Sequence, residues 1–381
     1  MAALFNSFFI AGFECSTHKL HNGRRLDLLA ATGHDRFAAQ DFARLRQHGI
    51  ATARSGVRWH CLETSPYHYD FSSLLPYVRA AREAGIQIIW DLCHYGYPDD
   101  LDIFSAQFVE RFTHFAKAAA DVIAQETSGT LFFCPVNEMS FWAWAGGDAG
   151  YLNPFVQHRS FELKQQLVRA TISAIDAIRE VAPDARFAAI DPVIHITPLP
   201  DRPGDLPWAE GHRLAQFQAW DMLCGRLEPG LGGAPEYLDI IGLNFYANNQ
   251  WFHDGPTILP DQPEFLPFSS IAREVYQYYG RPMFIAETGT EGDARPDWLR
   301  MMMGEVRVLL AEGIPMEGLC LYPILCYPGW DDERHCPAGL WDYASEEGQR
   351  EVYPPLAETL REEQELLTLL NDKVRRVVID T

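Results

Sequence analysis

Pro282-Met283-Phe284-Ile285-Ala286-Glu287-Thr288-Gly289 is the stretch from which the fold can be read. Four apolar residues bounded by Pro282 and Gly289 predict a short buried strand, with a carboxylate at the end where that strand leaves the core. An unpaired carboxylate is costly to bury. Glu287 therefore has partners waiting for it or sits at the mouth of a cleft. A second stretch has the same form: Leu131-Phe132-Phe133-Cys134-Pro135-Val136 runs into Asn137-Glu138. Two buried strands, each ending in a glutamate, predict a paired-carboxylate site.

Outward from these two stretches, strands and helices alternate. The opening run through Phe13 reads as the first strand. Strands then follow at Ile50–Trp59, Ile86–Trp90, Leu131–Val136, Arg186–Ile190, Tyr237–Gly242, Pro282–Ala286 and Gly318–Tyr322. Between and after them, apolar residues at helical spacing predict helices at His34–His48, Phe71–Ala84, Ser105–Gln125, Phe161–Val181, Glu210–Leu223, Phe268–Tyr279, Trp298–Ala311 and Pro354–Leu370. In the third of these, Phe108, Phe112, Phe115, Ala119 and Val122 form the apolar face.

Loop lengths separate the two ends of the array. Helix-to-strand turns are short and use glycine, as in His48-Gly49-Ile50, Ala84-Gly85-Ile86 and Tyr279-Gly280-Arg281. Strand-to-helix loops are long and rich in Trp, Tyr, His, Asp and Pro, notably Met139–Ser160, Asp191–Ala209, Phe245–Pro267 and Pro323–Tyr353. This pattern predicts an α/β chain folded as a single (β/α)₈ barrel of the TIM type over residues 1–381, with the long loops on the face that carries active sites. Both glutamates fall on that face. The alternative, a doubly wound open sheet, lacks its usual Gly-rich phosphate loop after the first strand.

Composition narrows the function. A net charge of −21 argues against nucleic acid and anionic membranes as partners. The apolar opening has no preceding basic residue, and Glu14 stands where a small-residue cleavage site would lie, so it is not read as a signal peptide. No apolar run approaches the ~20 residues of a membrane span. The eight cysteines show no CxxC spacing, which predicts reduced thiols and a cytoplasmic protein. His60-Cys61, Cys93-His94 and His335-Cys336 invite a zinc reading, but neighbours on a strand face opposite ways. Neither a metal nor another cofactor is expected.

Glycosidic bond cleavage needs one protonated carboxyl group to assist the leaving oxygen and one carboxylate to attack or to activate water. Strands four and seven of eight face each other across a barrel, so the two glutamates suit that chemistry. Here the chain resembles the clan A glycoside hydrolases, retaining (β/α)₈ enzymes with an Asn-Glu after strand four and a glutamate after strand seven. Local matches are to the family 1 β-glycosidases. Arg54 resembles their strand-two arginine, His94 before Tyr-Gly-Tyr-Pro their sugar-binding histidine, and Asn244-Phe245-Tyr246 their strand-six Asn-Tyr-Tyr. Thr288-Gly289 stands where that family has Asn-Gly, and Gly339-Leu340-Trp341-Asp342-Tyr343 resembles its closing segment.

The resemblance implies a retaining, exo-acting β-glycoside hydrolase that needs no cofactor and acts on a small-molecule or oligosaccharide β-glycoside. Glu287 would be the nucleophile, contacted by Arg54 and Tyr246, and Glu138 the acid/base, with Asn137 on the sugar 2-hydroxyl. Charge and hydrogen bonding would keep Glu287 ionised, while an apolar wall of Phe141, Trp142 and Trp144 would raise Glu138. His94, Glu14, His18, Asn244, Trp142, Trp144, Trp330 and Asp331 would line the substrate site. The family's glycone-binding glutamate after strand eight is replaced by Gly329, for which Asp331 and Asp332 are the nearest substitutes. Its strand-one glutamine has Glu14 and His18 as nearest counterparts. A transglycosidase using the same glutamates, or a non-catalytic carbohydrate-binding barrel, fits the same residues. Each candidate also has a structural reading: the glutamates and Arg54 as ion pairs, His94 as a core histidine, the tryptophans as loop packing.

Overall fold

Eight parallel strands close into a barrel in the computed structural model, which describes residues 3–379 and side chains through residue 370. They are β1 (Phe9–Gly12), β2 (Thr52–Gly56), β3 (Gln87–Asp91), β4 (Phe132–Cys134), β5 (Arg186–Pro192), β6 (Ile240–Asn244), β7 (Met283–Thr288) and β8 (Met316–Leu321). Each pairs with its neighbours in chain order, and β8 closes on β1 through Phe9 opposite Leu319. The outer helices are α1 (His34–Gln47), α2 (Leu75–Ala84), α3 (Ala106–Glu126), α4 (Ser160–Val181), α5 (Gln218–Leu223), α6 (Phe268–Tyr279), α7 (Arg295–Ala311) and α8 (Pro354–Ile379). The predicted (β/α)₈ architecture is therefore the one observed.

Local chemistry accounts for these elements. Ser105 caps α3, its hydroxyl accepting from Phe108 N at 3.3 Å, and Phe108, Phe112, Phe115, Ala119 and Ile123 are its buried stripe. The last buried position is Ile123, one residue beyond the expected Val122. Gly85 and Gly280 end α2 and α6 at φ +66 and +62, a backbone region that costs glycine least. Pro296 sits in the first turn of α7, where a missing N–H does no harm, so this helix begins three residues before the expected Trp298.

Several elements differ from the sequence reading. The segment before α5 is not one helix from Glu210: Leu206–Leu214 is helical, Ala215–Phe217 tightens to a 3₁₀ turn, and α5 resumes at Gln218. The strand containing Phe132 is shorter than expected because the chain bends away at Pro135. The loop after it opens with a helix at Met139–Gly147. The final helix extends beyond Leu370 to Ile379.

Two apolar layers hold the barrel. The larger lies between strands and helices; the smaller fills the barrel interior with Phe5, Ile10, Ile89, Phe132, Ile190, Ile240, Phe284 and Tyr322. Phe5 packs its ring against Phe132 and Phe284 at 5.2 and 5.1 Å between centroids. Strand packing is tight: a Cβ on Gly242 would meet Ile190 Cγ1 at 2.6 Å and Ala286 Cβ at 2.8 Å. The filled interior is thus a packed core rather than a pore. At its C-terminal end that core gives way to Arg54, Asp91 and Glu287, which are buried and charged.

Candidate active site

Arg54 on β2 organises this end of the barrel. Its side chain is fully buried, and burial of a guanidinium demands partners on every nitrogen. Nη1 donates to Glu287 Oε1 at 2.7 Å and to the Ala286 carbonyl at 3.1 Å. Nε and Nη2 donate to the two oxygens of Asp91 at 3.1 and 2.8 Å, and Nη2 donates also to Asn137 Oδ1 at 2.7 Å. The guanidinium carbon lies 5.1 Å from the centre of the Tyr322 ring. Four strand ends are tied together by one side chain.

Glu287 receives its second support from Tyr246, whose hydroxyl donates to Oε2 at 3.0 Å. Its partners are one full positive charge and one hydroxyl donor, which together hold its two oxygens in a fixed orientation.

Glu138 sits in a different setting. Its backbone takes φ +48, in the left-handed region where a non-glycine residue is uncommon, and is pinned there by donation of its N–H to Ile190 O at 3.0 Å. Asn244 Nδ2 donates to Oε1 at 2.7 Å, and Tyr95 donates its hydroxyl to Oε2. Among the described residues no cation touches it. Burial, and then the negative charge of Glu287, push its pKa up to about 8, against the opposing hydrogen bonds of Tyr95 and Asn244; Asp191 adds a smaller upward push. A carboxyl group so placed holds its proton at neutral pH and can give it away.

Asp91 and His94 support Arg54 and Asn137 from below. His94 Nδ1 lies 3.0 Å from Asp91 Oδ2, and Asn137 Nδ2 donates to His94 Nε2 at 3.0 Å. Burial opposes charge on His94 and is outweighed by Asp91, Glu14 and Glu287, which raise its pKa. Because Arg54 fixes the Asn137 oxygen, the amide nitrogen faces His94 Nε2 and, at 3.2 Å, the Tyr95 hydroxyl.

Around these groups opens a cavity of about 1290 Å³. Glu14, His94, Tyr95, Tyr322, Tyr327 and Trp330 line it together with Phe141, Trp144, Lys164, His212, Trp251, Glu138, Tyr246 and Glu287. Glu14 accepts from Ser16 N at 2.9 Å, and burial followed by the charge of Glu287 pushes its pKa up against the pull of His94. The loop after β8 is held by ion pairs and hydrogen bonds. Arg334 holds Glu291 through two bonds of 2.7 and 2.8 Å, Tyr151 donates to Asp331 at 2.7 Å, and Arg24 pairs with Glu333. Gly329 is closely covered: a Cβ there would meet Asp332 Oδ1 at 2.4 Å.

The structure thus brings together Glu287, Glu138, Arg54, Tyr246, Asn137, Asn244, His94 and Glu14, with Trp144, Trp330 and Asp331 on the cavity wall. Other expectations are corrected. Trp142 is fully buried and donates its indole N–H to Asn153 O at 2.8 Å, because it lies on the inner face of the loop helix; it presents no face to the cavity. His18 is also buried, behind Trp330 at 4.5 Å between ring centres, and does not line the cavity. Neither of its nitrogens has a partner, and burial first, then His94 and Arg25, push its pKa down to about 3. Asn137 has both ends of its amide occupied by protein groups, and Asn244 gives its Nδ2 to Glu138 while its Oδ1 has no partner among the described residues.

Four contributors were missed: Asp91, Tyr95, Tyr322 and Asp191. Asp91 and Asp191 carried the same signal as Glu287, an apolar strand running into a carboxylate, in Ile88-Ile89-Trp90-Asp91 and Ala189-Ile190-Asp191. Asp191 accepts from Ser140 N at 2.9 and 3.2 Å, capping the loop helix immediately after Glu138.

A barrel with two opposed glutamates at its C-terminal end defines a structural class, and comparison with solved structures agrees on the fold. The family 1 β-glucosidase from Thermotoga maritima superposes with a TM-score of 0.78 at 16% identity, covering 94% of this chain and 98% of that one. Structures of the Thermotoga maritima β-glucosidase in complex with noeuromycin and with glucoimidazole both give TM-scores of 0.76, at 16% and 15% identity with the same coverage. The chain therefore has the closed (β/α)₈ barrel fold seen in those enzymes. No protein-family model matches the sequence, and no curated protein matches it. No helix among the described residues is long and apolar enough to cross a membrane.

Proposed function

We propose that the protein is a retaining, exo-acting β-glycoside hydrolase. The observation that carries this reading is the division of labour between two buried glutamates: Glu287 held by a cation and a phenol, Glu138 by neutral donors with its pKa raised. In the first displacement Glu287 attacks the anomeric carbon while Glu138 gives its proton to the departing oxygen. In the second, Glu138 takes a proton from water, which attacks the same carbon and releases Glu287. Such a mechanism requires the two carboxyl groups about 5–5.5 Å apart, a spacing to which the facing ends of β4 and β7 are suited. Arg54 and Tyr246 hold the nucleophile, and Asn244 and Tyr95 aim the acid. The loop after β8, held by Arg334 and Glu291, adds Trp330 and Asp331 to the cavity wall, and a wall so fixed favours attack at the end of a sugar chain.

The substrate on this reading is a small-molecule or oligosaccharide β-glycoside. Trp144, 51% exposed on the cavity wall, and Trp251 offer faces to the leaving group. The eight unpaired thiols support a cytoplasmic location. Because the cavity is larger than one sugar needs, transfer to a sugar acceptor is the second reading, and product analysis with added acceptor separates it from hydrolysis.

The deciding experiment is intact-mass spectrometry after incubation with a panel of 2-deoxy-2-fluoro glycosyl fluorides. One accumulating glycosyl adduct, mapped to Glu287, is the expected result. A folded protein that forms no adduct with any sugar, or forms it elsewhere, would overturn the assignment.

A further inference from the structure

The histidine and thiol of His335-Cys336 were set apart in the sequence because neighbours on a strand face opposite ways, and in the structure they do. The His335 side chain is 45% exposed, whereas Cys336 is buried. The fold nevertheless brings a different thiol to this imidazole. Cys326, His335 and Asp342 each offer one ligand atom, and the three atoms all lie within 4.8 Å of one another. Separate backbone pairings fix each residue. Cys326 N donates to Trp341 O at 2.8 Å, which sets the thiol beside Asp342. His335 pairs with Pro328 in a short antiparallel hairpin. Asp342 lies on the strand Trp341–Ala344, which pairs with Arg350–Val352.

We propose that Cys326, His335 and Asp342 form a binding site for a borderline-soft divalent cation of the Zn²⁺ type, with solvent as the fourth ligand. Thiolate, imidazole and carboxylate are the donors such an ion takes. Tetrahedral bonds of about 2.0–2.3 Å place ligand atoms roughly 3.3–3.7 Å apart. The 4.8 Å limit accommodates that spread. His335 Nε2 and Asp342 Oδ1, now 2.8 Å apart, would separate by about half an ångström. Both side chains are 45% exposed, so the ion can reach them. Binding exchanges the proton of the Cys326 thiol, and the proton on His335 Nε2 if present, for the metal, with release to solvent.

Local charge distinguishes this cluster from two others. Among the described residues the only ion-pair partner of Asp342 is His335. Arg295, whose charge acts on the Cys326 thiol, already donates to the carbonyls of Gly292 and Gly339 at 2.7 and 2.6 Å. Asp27, beside His60 and Cys61, is instead paired with Arg58 at 3.0 Å, and Arg25 is close by. Those two cysteine neighbours are not on a strand, as expected, but on the short helix Trp59–Leu62, with Cys61 Sγ 3.1 Å from His60 Nε2. Asp91, beside Cys15 and His94, takes two bonds from Arg54. A guanidinium already bound to the carboxylate repels a second cation.

The consequence is mechanical. A metal here would tie the hairpin carrying Trp330 and Asp331 to the segment that leads into α8. The test uses the full chain, stripped with a chelator and titrated under reducing, anaerobic conditions with Co²⁺ and, separately, Zn²⁺. The expected result is thiolate-to-cobalt charge-transfer absorption saturating at one ion per chain, with a rise in melting temperature on adding Zn²⁺. C326S should abolish the absorption and the rise, H335A should weaken affinity tenfold or more, and C61S should change neither. No stoichiometric uptake by the folded protein, a thiolate band that survives C326S, or a band lost in C61S would each overturn the site. None of these readouts depends on glycosidase activity.

Discussion

Glu287 and Glu138 are the same residue at matching places on opposite sides of one barrel, and the protein treats them in opposite ways. Glu287 lies within a strand, with Arg54 and Tyr246 already on its oxygens. Glu138 lies one bend beyond its strand in a left-handed turn, where it meets only neutral donors and a nearby negative charge. The difference teaches that role follows from the backbone station as much as from the side chain. Arg54 reaches Glu287 through the barrel interior, whereas beyond β4 it meets Asn137 and stops one residue short of Glu138.

That contrast can be broken most directly by E287Q, which leaves Arg54 in place but removes the charge it faces. Turnover of an aryl glycoside should fall by about four orders of magnitude or more. A wild-type rate in steady-state kinetics would mean that Glu287 is not the nucleophile. R54M attacks the same side through stability. It leaves Asp91 and Glu287 buried without their cation, and chemical denaturation should record a loss of about 3–5 kcal/mol.

On the other side, kcat/KM should decline as pH rises through about 8, the value to which Glu138 is pushed, because its proton is needed for departure of the leaving group. E138Q should lower rates on poor leaving groups by about 10²–10⁴ and remove that decline for activated ones. Stability gives the sign independently. A carboxyl group whose folded pKa is raised from 4.5 binds more protons folded than unfolded, so its contribution is complete below that pH and is lost as pH rises through about 8. E138Q should therefore gain stability relative to wild type at alkaline pH. The smallest effect sharpens the comparison: D191N removes the charge that adds to the pKa of Glu138, so the basic limb should move to lower pH, while the amide keeps an acceptor for Ser140 N. An unmoved limb would assign Asp191 to helix capping alone.

What the sequence made legible was whatever lay at a strand end. Glu287 and Glu138 could be placed because barrel topology sends strand ends to one rim, while Arg54, Asn244 and Tyr246 were legible through the resemblance to the family 1 β-glycosidases. Asp91 and Asp191 carried the same mark, but their work is on Arg54 and on the loop helix, pairings that only the folded barrel makes. Trp142 and His18 were misplaced for another reason: which face of a loop helix or loop turns inward depends on tertiary packing, here against Asn153 and Trp330, which no periodicity records. The Cys326, His335 and Asp342 cluster was hidden because its thiol comes from the residue before the hairpin, Cys326, and not from the histidine's own neighbour.

Arg54 also bears on the order of folding. Its partners Asp91, Asn137 and Glu287 lie 37, 83 and 233 positions away along the chain. Contacts that close such long loops form late, after local helices and adjacent strands have gathered. Completion of the buried charge network and closure of the barrel are then one event, and a chain halted before it has a partial sheet but no site. R54M should accordingly speed unfolding more than it slows refolding, as stopped-flow kinetics would record; the reverse pattern would place Arg54 in an early nucleus.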